Sequence, residues 1–210
     1  NVYVNGGIVR TDPSKKQISL VFTAADKADG ADAIISTLKR HGIKGSFFFT
    51  GEFYELYPEI VKRLLDEGHL VGSHSYGHLL YMPWENRDSL LVTREEFEKD
   101  MLKSYETMRK AGIEYKDAPI YIPPYEYYNK EIAAWAKNMG IQVVNYTPGT
   151  MSNGTMKNAT HIVNIIGIIA NLYKKPMMNA IEHASSPKMA NPRERGLPMP
   201  RGSGNTVESS

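Results

Sequence analysis

The chain has 210 residues and a formal net charge of +2 from well-mixed acidic and basic residues, so its charge gives no reason to expect a nucleic-acid partner. It contains no cysteine, which excludes disulfides, a thiolate nucleophile and thiolate metal ligands. The composition changes only near the end. We therefore expect one domain at 1–184 and an irregular tail at 185–210, where Pro, Arg, Gly and Ser predominate.

The N-terminal segment and the most apolar segment of the chain both bear on where the protein acts. Residues 1–7 lack the charged start and apolar core of a signal peptide, and the chain has no initiator Met. A processed, exported chain fits these features, and a cytoplasmic one remains an alternative. The most apolar segment, 162–172, contains polar residues and is too short to span a bilayer, so no membrane span is expected.

Short apolar runs alternate along the chain with helix-like segments, which is the pattern of repeated βα units. The predicted strands are 18–22, 45–49, 69–72, 120–122, 141–146 and 176–181. The predicted helices are 33–40, 58–67, 93–112, 129–139 and 160–173, the third opened by a capping box from Thr93 to Glu96. The alternation predicts parallel strands with right-handed crossovers, in either a barrel or an open sheet.

Ligands of both architectures bind beyond the carboxyl ends of the strands. The loops that leave those ends here are 23–26, 73–78, 123–128, 147–151 and the region of His183. Asp26, His74, His78 and His183 are therefore expected at one end of the sheet. Their convergence from separate strands is stronger evidence for a site than any single motif.

Two histidines four residues apart, His74 and His78, are the most informative pair in the sequence. On a strand they would lie about 13 Å apart, too far to share an ion held at about 2.0–2.1 Å from each nitrogen. We therefore expect that a strand ending at Gly72 passes into one turn of helix, which would bring the two rings together. The alternative is two unrelated polar residues on a loop.

Four segments, in this order, resemble the NodB-homology polysaccharide deacetylases, a group also known as carbohydrate esterase family 4. They are Phe-Thr-Ala-Ala-Asp at 22–26, Lys-Arg-His-Gly-Ile-Lys-Gly-Ser-Phe-Phe-Phe-Thr-Gly at 39–51, Gly-His-Leu-Val-Gly-Ser-His-Ser-Tyr-Gly-His at 68–78, and Ile-Pro-Pro-Tyr at 122–125. The resemblance implies a distorted (β/α) barrel of about seven parallel strands. It also implies a divalent metal ion, most often zinc, and hydrolysis of N-acetyl groups on sugars.

The resemblance implies that His74 and His78 bind the metal together with one Asp. Members of the family carry two adjacent Asp after the first strand, the first a general base and the second a metal ligand. A gap-free alignment places Thr23 and Ala24 there. Asp26 is the nearest carboxylate, and we expect it to be the third ligand if this loop is one or two residues longer than usual; Ala25 would then occupy the base position. Its alternative role is an N-cap for the following helix.

The third motif has Ile122 where the family has Arg, and 123–125 match. The resemblance implies that the backbone N–H of Tyr125 helps to hold an oxyanion. Glu126 is a substitute for the missing base carboxylate or a solvated loop residue. The family's fourth motif is replaced at 147–150. The resemblance implies that His183 is the general acid, and the alternative is a surface histidine.

Several aromatic residues lie on or beside the same loops and fit either stacking against sugar rings or packing at the rim: Tyr81, Trp84, Tyr125, Tyr127, Tyr128 and Tyr146. The remaining histidines, His41, His69 and His161, are read as structural. The expected function is a metal-dependent hydrolase that removes acetyl groups from an N-acetylated or O-acetylated glycan. The alternatives are a catalytically impaired carbohydrate-binding protein on the same scaffold and a cyclic amide hydrolase.

Overall fold

A computed structural model describes residues 1–15 and 17–148 of the chain. Its strands are β1 (Val2–Val4), β2 (Gly7–Arg10), β3 (Val21–Ala24), β4 (Ser46–Phe49), β5 (Leu70–Ser73), β6 (Ile120–Tyr121) and β7 (Gln142–Val143). Its α-helices are α1 (Ala31–Arg40), α2 (Gly51–Leu56), α3 (Pro58–Asp66), α4 (Arg94–Lys110) and α5 (Lys130–Asn138). Four predicted features lie outside the described residues: the helix at 160–173, the strand at 176–181, His183 and the tail at 185–210.

The central sheet has the strand order β3-β4-β5-β6-β7, and every neighbouring pair is parallel. Because helices alternate with these strands, the predicted α/β architecture is confirmed. In the register of β3, β4 and β5, Phe22, Phe47 and Val71 share one face and pack in the core formed with the helices. The opposite face carries Thr23, Phe48 and Gly72.

That opposite face is the inside of a curved sheet. Thr23 on β3 donates a hydrogen bond to the carboxylate of Glu126, just beyond β6, at 3.4 Å. In a flat sheet β3 and β6 would lie about 14 Å apart, because neighbouring strands are spaced by about 4.8 Å. Phe48 is fully buried in this interior, and a Cβ at Gly72 would lie only 2.8 Å from its ring. The sheet therefore curls as in an α/β barrel, and Gly72 makes room for Phe48.

A β-hairpin formed by β1 and β2 precedes the sheet and was not predicted from the sequence. Its turn, Asn5-Gly6, has both φ angles positive, at 48° and 87°, which is the conformation that a two-residue hairpin turn requires. Ile8 forms a parallel bridge with Val144, just after β7. The hairpin therefore extends the far edge of the sheet.

The predicted boundaries of several elements need correction. The first parallel strand starts at Val21 rather than residue 18, and Ile18 is 68% exposed. The short helix α2 was missed, although the hydroxyl of Thr50 caps it by accepting a hydrogen bond from the Phe53 amide at 3.1 Å. The capping box that starts α4 is confirmed. Among the described helices, none combines the length and the apolar character that crossing a membrane needs.

Candidate metal centre

His74 directly follows β5, and strand alternation places it on the same inner face as Gly72. It is 2% exposed, and its Nδ1 lies 2.8 Å from the carbonyl oxygen of Ile122, beyond β6. Because a carbonyl oxygen only accepts hydrogen bonds, Nδ1 must carry the proton, which leaves a lone pair on Nε2. A ring held in this way by a carbonyl presents its other nitrogen as a metal ligand.

The ring of His78 faces that lone pair. The Nε2 atoms of His74 and His78 are 3.2 Å apart, and the ring centroids are 4.9 Å apart. Two imidazoles bound to one tetrahedral zinc ion at about 2.0–2.1 Å place their nitrogens about 3.3 Å from each other. The pair therefore has the spacing that a shared divalent ion requires.

The segment between the two histidines is an irregular loop, so the prediction of a helical turn was wrong. Ser75 and His78 have left-handed φ angles of 67° and 53°. Asp100 on α4 holds the loop from outside, because its two carboxylate oxygens accept hydrogen bonds from the amides of Tyr76 and Gly77 at 2.9 and 2.8 Å. Sequence reasoning missed Asp100, since a contact across 24 residues leaves no local pattern in the sequence.

Burial favours the neutral form of both imidazoles by lowering the pKa of each ring. Burial lowers the pKa of His74 to about 3; its hydrogen bond to the Ile122 carbonyl opposes this change, and the neighbouring His78 adds to it. Burial also lowers the pKa of His78, against the opposing negative charges of Asp26 and Asp100. Neutral imidazole is the form that binds metal ions.

Asp26 lies in the exposed loop that leaves β3. The N-cap of α1 is Gly30, so Asp26 does not cap this helix. Its backbone carbonyl accepts a hydrogen bond from the Tyr57 hydroxyl at 3.1 Å, and its charge acts on His78. Within residues 1–15 and 17–148, no three His, Cys, Asp or Glu side chains form a metal-binding cluster. Asp26 as the third ligand stays a prediction.

The loop after β6 lies directly against the histidine pair. Ile122, at the position of the family's Arg, is buried, and its backbone carbonyl holds His74. The Tyr125 ring packs on the ring of His78, with centroids 4.4 Å apart. The oxyanion role of the Tyr125 amide stays a prediction, as does the role of His183, which lies outside the described residues.

An aromatic surface adjoins the pair. The Trp84 ring lies 5.4 Å from that of Tyr125 and 5.1 Å from that of Tyr127, and Arg87 lies over the Tyr127 ring at 4.1 Å. Trp84 is 56% and Tyr125 44% exposed, so part of each residue is accessible to a ligand. Tyr81 and Tyr128, for which stacking on sugar and packing were both open, are buried, and their role is packing.

The remaining described histidines have structural roles. His69 is buried, its Nδ1 accepts a hydrogen bond from the Gly45 amide at 3.0 Å, and its ring packs edge-on against Phe47. His41 is the C-cap of α1. His161 lies outside the described residues.

A barrel-like parallel α/β sheet with a histidine pair at the carboxyl ends of its strands defines the class of this protein: an α/β-barrel protein with a candidate metal centre. Residues 10–144 match the polysaccharide deacetylase family, and the chain belongs to that family. The NodB-type resemblance in the four motifs is thereby confirmed.

Named relatives support the same assignment. A peptidoglycan-N-acetylglucosamine deacetylase of Bacillus cereus is 29% identical over 156 residues, which cover 73% of this chain and 52% of the relative. The structure of a family 4 carbohydrate esterase from Bacillus anthracis is 28% identical, with a TM-score of 0.58, and the match covers 67% of this chain and 63% of that one. This chain thus spans about half the length of the first relative.

A family 4 pseudoenzyme from Bacillus anthracis also has this fold. It is 22% identical to this chain with a TM-score of 0.58, over 68% of this chain and 47% of that one. At this identity the similarity bears on the fold alone.

Proposed function

We propose that this protein is a divalent-metal-dependent hydrolase that removes acetyl groups from an N-acetylated glycan. The observation that carries the proposal is the 3.2 Å separation of the Nε2 atoms of His74 and His78 at the mouth of the barrel. The deacetylase name of the Bacillus cereus relative supports N-acetylated peptidoglycan as the substrate class and an exported protein as its form.

His74, His78 and Asp26 are the residues that would hold the ion, and zinc suits two neutral imidazoles and a carboxylate. When bound there, a divalent ion supplies Lewis-acid chemistry: it polarises an acetyl carbonyl and makes water more acidic. The Ile122 carbonyl keeps His74 in the ligand tautomer, and Asp100 keeps the connecting loop in place.

The other roles belong to groups around the pair. The Tyr125 ring packs on that of His78, and the backbone N–H of Tyr125 would donate to the oxygen of the acetyl carbonyl as negative charge develops there. His183 would give a proton to the departing amine. The exposed rings of Trp84 and Tyr125 would stack against a sugar ring and orient its acetamido group toward the histidines.

A second candidate function is glycan binding without turnover. The observation that favours it is that Thr23 and Ala24 stand where a gap-free alignment expects two Asp residues, the family's base and one metal ligand. The same aromatic surface would serve this function. Hydrolysis of a cyclic amide is a third outcome; it opens the ring and releases no acetate, so it is measured separately as loss of the cyclic substrate.

The test is acetate release by the zinc-loaded chain from peptidoglycan fragments, chitooligosaccharides and acetylated xylan, with a cyclic amide in parallel. We expect acetate from an N-acetylated glycan, and a rate at least about 100-fold lower for His78→Ala. The matched control is His41→Ala, which removes an exposed histidine at the end of α1. Glycan binding without acetate release under any metal would contradict the hydrolase and leave the binding protein.

A further inference from the structure

Glu126 brings a carboxylate to the inner side of the barrel mouth. Its side chain is half-buried, and its Oε1 accepts a hydrogen bond from the Thr23 hydroxyl at 3.4 Å. A gap-free alignment places one Asp of the family's pair at Thr23, and with Asp26 as the metal ligand the base position falls on Ala25, directly after β3. Neither alignment gives this end of β3 a base carboxylate, and the carboxylate of Glu126 reaches it at Thr23 from the loop after β6.

The backbone at Glu126 is strained. Tyr125 and Glu126 have consecutive left-handed φ angles of 58° and 54°, a conformation that costs little only for glycine. Two hydrogen bonds hold it: the Glu126 amide donates to the Pro123 carbonyl at 2.9 Å, and the side-chain amide of Asn145 donates to the Glu126 carbonyl at 2.7 Å. Strain that surrounding contacts enforce is typical of functional sites.

The same loop is in contact with the candidate metal ligands. Ile122 holds His74 through its carbonyl, and Tyr125, the neighbour of Glu126, packs on His78. Burial raises the pKa of Glu126, and the hydrogen bond from Thr23 opposes the rise. A carboxylate with a raised pKa is a stronger proton acceptor than a solvated one. The position of Glu126 and the direction of its pKa shift both fit a side chain that accepts a proton.

We propose that Glu126 is the general base of the deacetylation, a catalytic residue that takes the place of the Asp missing from β3; this rests on the proposed function. As the water oxygen bonds to the acetyl carbon, one water O–H bond breaks and its proton passes to the Glu126 carboxylate. The C–N bond then breaks, the amine nitrogen takes up a proton, and acetate and the free amine leave. No oxidant or further reactant is needed.

The main variant is Glu126→Gln, which keeps the size of the side chain and removes its basicity. In the zinc-loaded full chain, we expect kcat to fall at least about 100-fold while KM and zinc affinity are unchanged. The matched control is Glu114→Gln, an exposed glutamate before β6, which should keep the parent's kcat. A Glu126→Gln variant that keeps the parent's kcat overturns the proposal.

A second variant separates a chemical role from a structural one. Glu126→Gly relieves the left-handed backbone, so its unfolding midpoint should equal or exceed the parent's, yet its kcat should fall as in Glu126→Gln. Added formate, a small carboxylate, should restore part of this activity. Failure of formate to restore activity in a fully folded Glu126→Gly protein counts against a base at this position.

A third measurement does not depend on turnover. The carboxyl ¹³C resonance of Glu126, identified by its loss in Glu126→Gln, should move when zinc binds to the parent, and a resonance that does not move overturns the proposal. The outcomes also separate the two proposals. A parent without activity on any substrate overturns the hydrolase and its base together, whereas an active parent with an active Glu126→Gln variant overturns the base alone.

Discussion

Asp100 attaches the loop between the histidines to helix α4. Its carboxylate accepts from two successive amides, at 2.9 Å from Tyr76 and 2.8 Å from Gly77, and so fixes a loop that contains two left-handed residues. The Ser75 and His78 amides donate to the hydroxyls of Ser73 and Ser75, at 3.1 Å each, so without Asp100 the loop keeps these bonds but loses its attachment to α4. The separation of the two imidazoles should then no longer be fixed.

We predict that Asp100→Ala weakens zinc binding by about 10- to 100-fold, the usual effect of removing a group that orients metal ligands. Asp100→Asn, which keeps one acceptor oxygen, should lie between this variant and the parent. Calorimetric titration with zinc measures the effect, and Glu106→Gln on the exposed side of α4 is the control. An Asp100→Ala protein that binds zinc as tightly as the parent would show that the loop needs no such support.

The sequence identified the histidine pair but not how it is held. The spacing of His74 and His78 indicated that the two side chains could share a metal ion, and the structure brings their nitrogens together. The expected helical turn was wrong because local spacing carries no information on Asp100, a partner 24 residues away in the next helix. Glu126 was weighed only because it follows the third motif; its contact with Thr23 depends on the curvature of the whole sheet.

At the scale of elements, α4 forms the wall behind the histidine loop and carries Asp100. Its N-terminus is a capping box: the Thr93 hydroxyl accepts from the Glu96 amide at 3.2 Å, and the Glu96 carboxylate accepts from the Thr93 amide at 2.7 Å. These bonds satisfy amide groups that otherwise have no partner at the start of a helix. The position of Asp100 thus depends on a well-formed first turn.

We predict that Thr93→Ala lowers the free energy of unfolding by about 1 kcal/mol. Ser36→Ala, on the exposed side of α1, is the control and should change it by less than about 0.5 kcal/mol. Hydrogen bonds from Thr93 lower the pKa of the Glu96 carboxyl group. The stabilisation that the ionised Glu96 carboxylate gives is therefore present above its ordinary pKa of 4.5 and is lost as the pH falls. The cost of Glu96→Ala, measured by urea denaturation, should therefore be smaller at pH 3 than at pH 7; an equal cost at both would contradict the contribution of the ionised carboxylate to the cap.

Most elements followed from periodicity and caps, and the exceptions have physical reasons. The strand near residue 20 was placed three residues early because Ile18 is apolar, yet it is exposed and adds nothing to the sheet. The hairpin at the N-terminus had a local signal in its Asn5-Gly6 turn, which was not used. The helix α2 had one in its cap, Thr50.

For the molecule as a whole, the N-terminal hairpin completes the far edge of the sheet. The carbonyl of Ile8 accepts a hydrogen bond from the Asn145 amide at 2.9 Å, and the Tyr128 hydroxyl donates to the Val4 carbonyl at 2.7 Å. Ile8 and Val9 are buried in the process. The hairpin therefore supports both β7 and the loop that carries Glu126.

We predict that Ile8→Ala lowers the free energy of unfolding by about 2–4 kcal/mol, because it leaves a cavity in a buried contact. Val2→Ala, on the exposed strand of the same hairpin, should cost less than about 1 kcal/mol. Chemical denaturation measures both values. Equal, small effects of the two substitutions would mean that the hairpin does not stabilise the barrel.

The barrel, the histidine loop and the loop after β6 together support one central claim, that His74 and His78 share a divalent ion. Anomalous diffraction at the zinc edge, from crystals of the parent grown with zinc, tests this claim most directly. We predict one strong peak about 2.1 Å from the Nε2 atoms of both histidines, and none there in crystals of His78→Ala. A zinc peak only at another place in the molecule, or no peak at the histidine pair of the parent, would contradict the account.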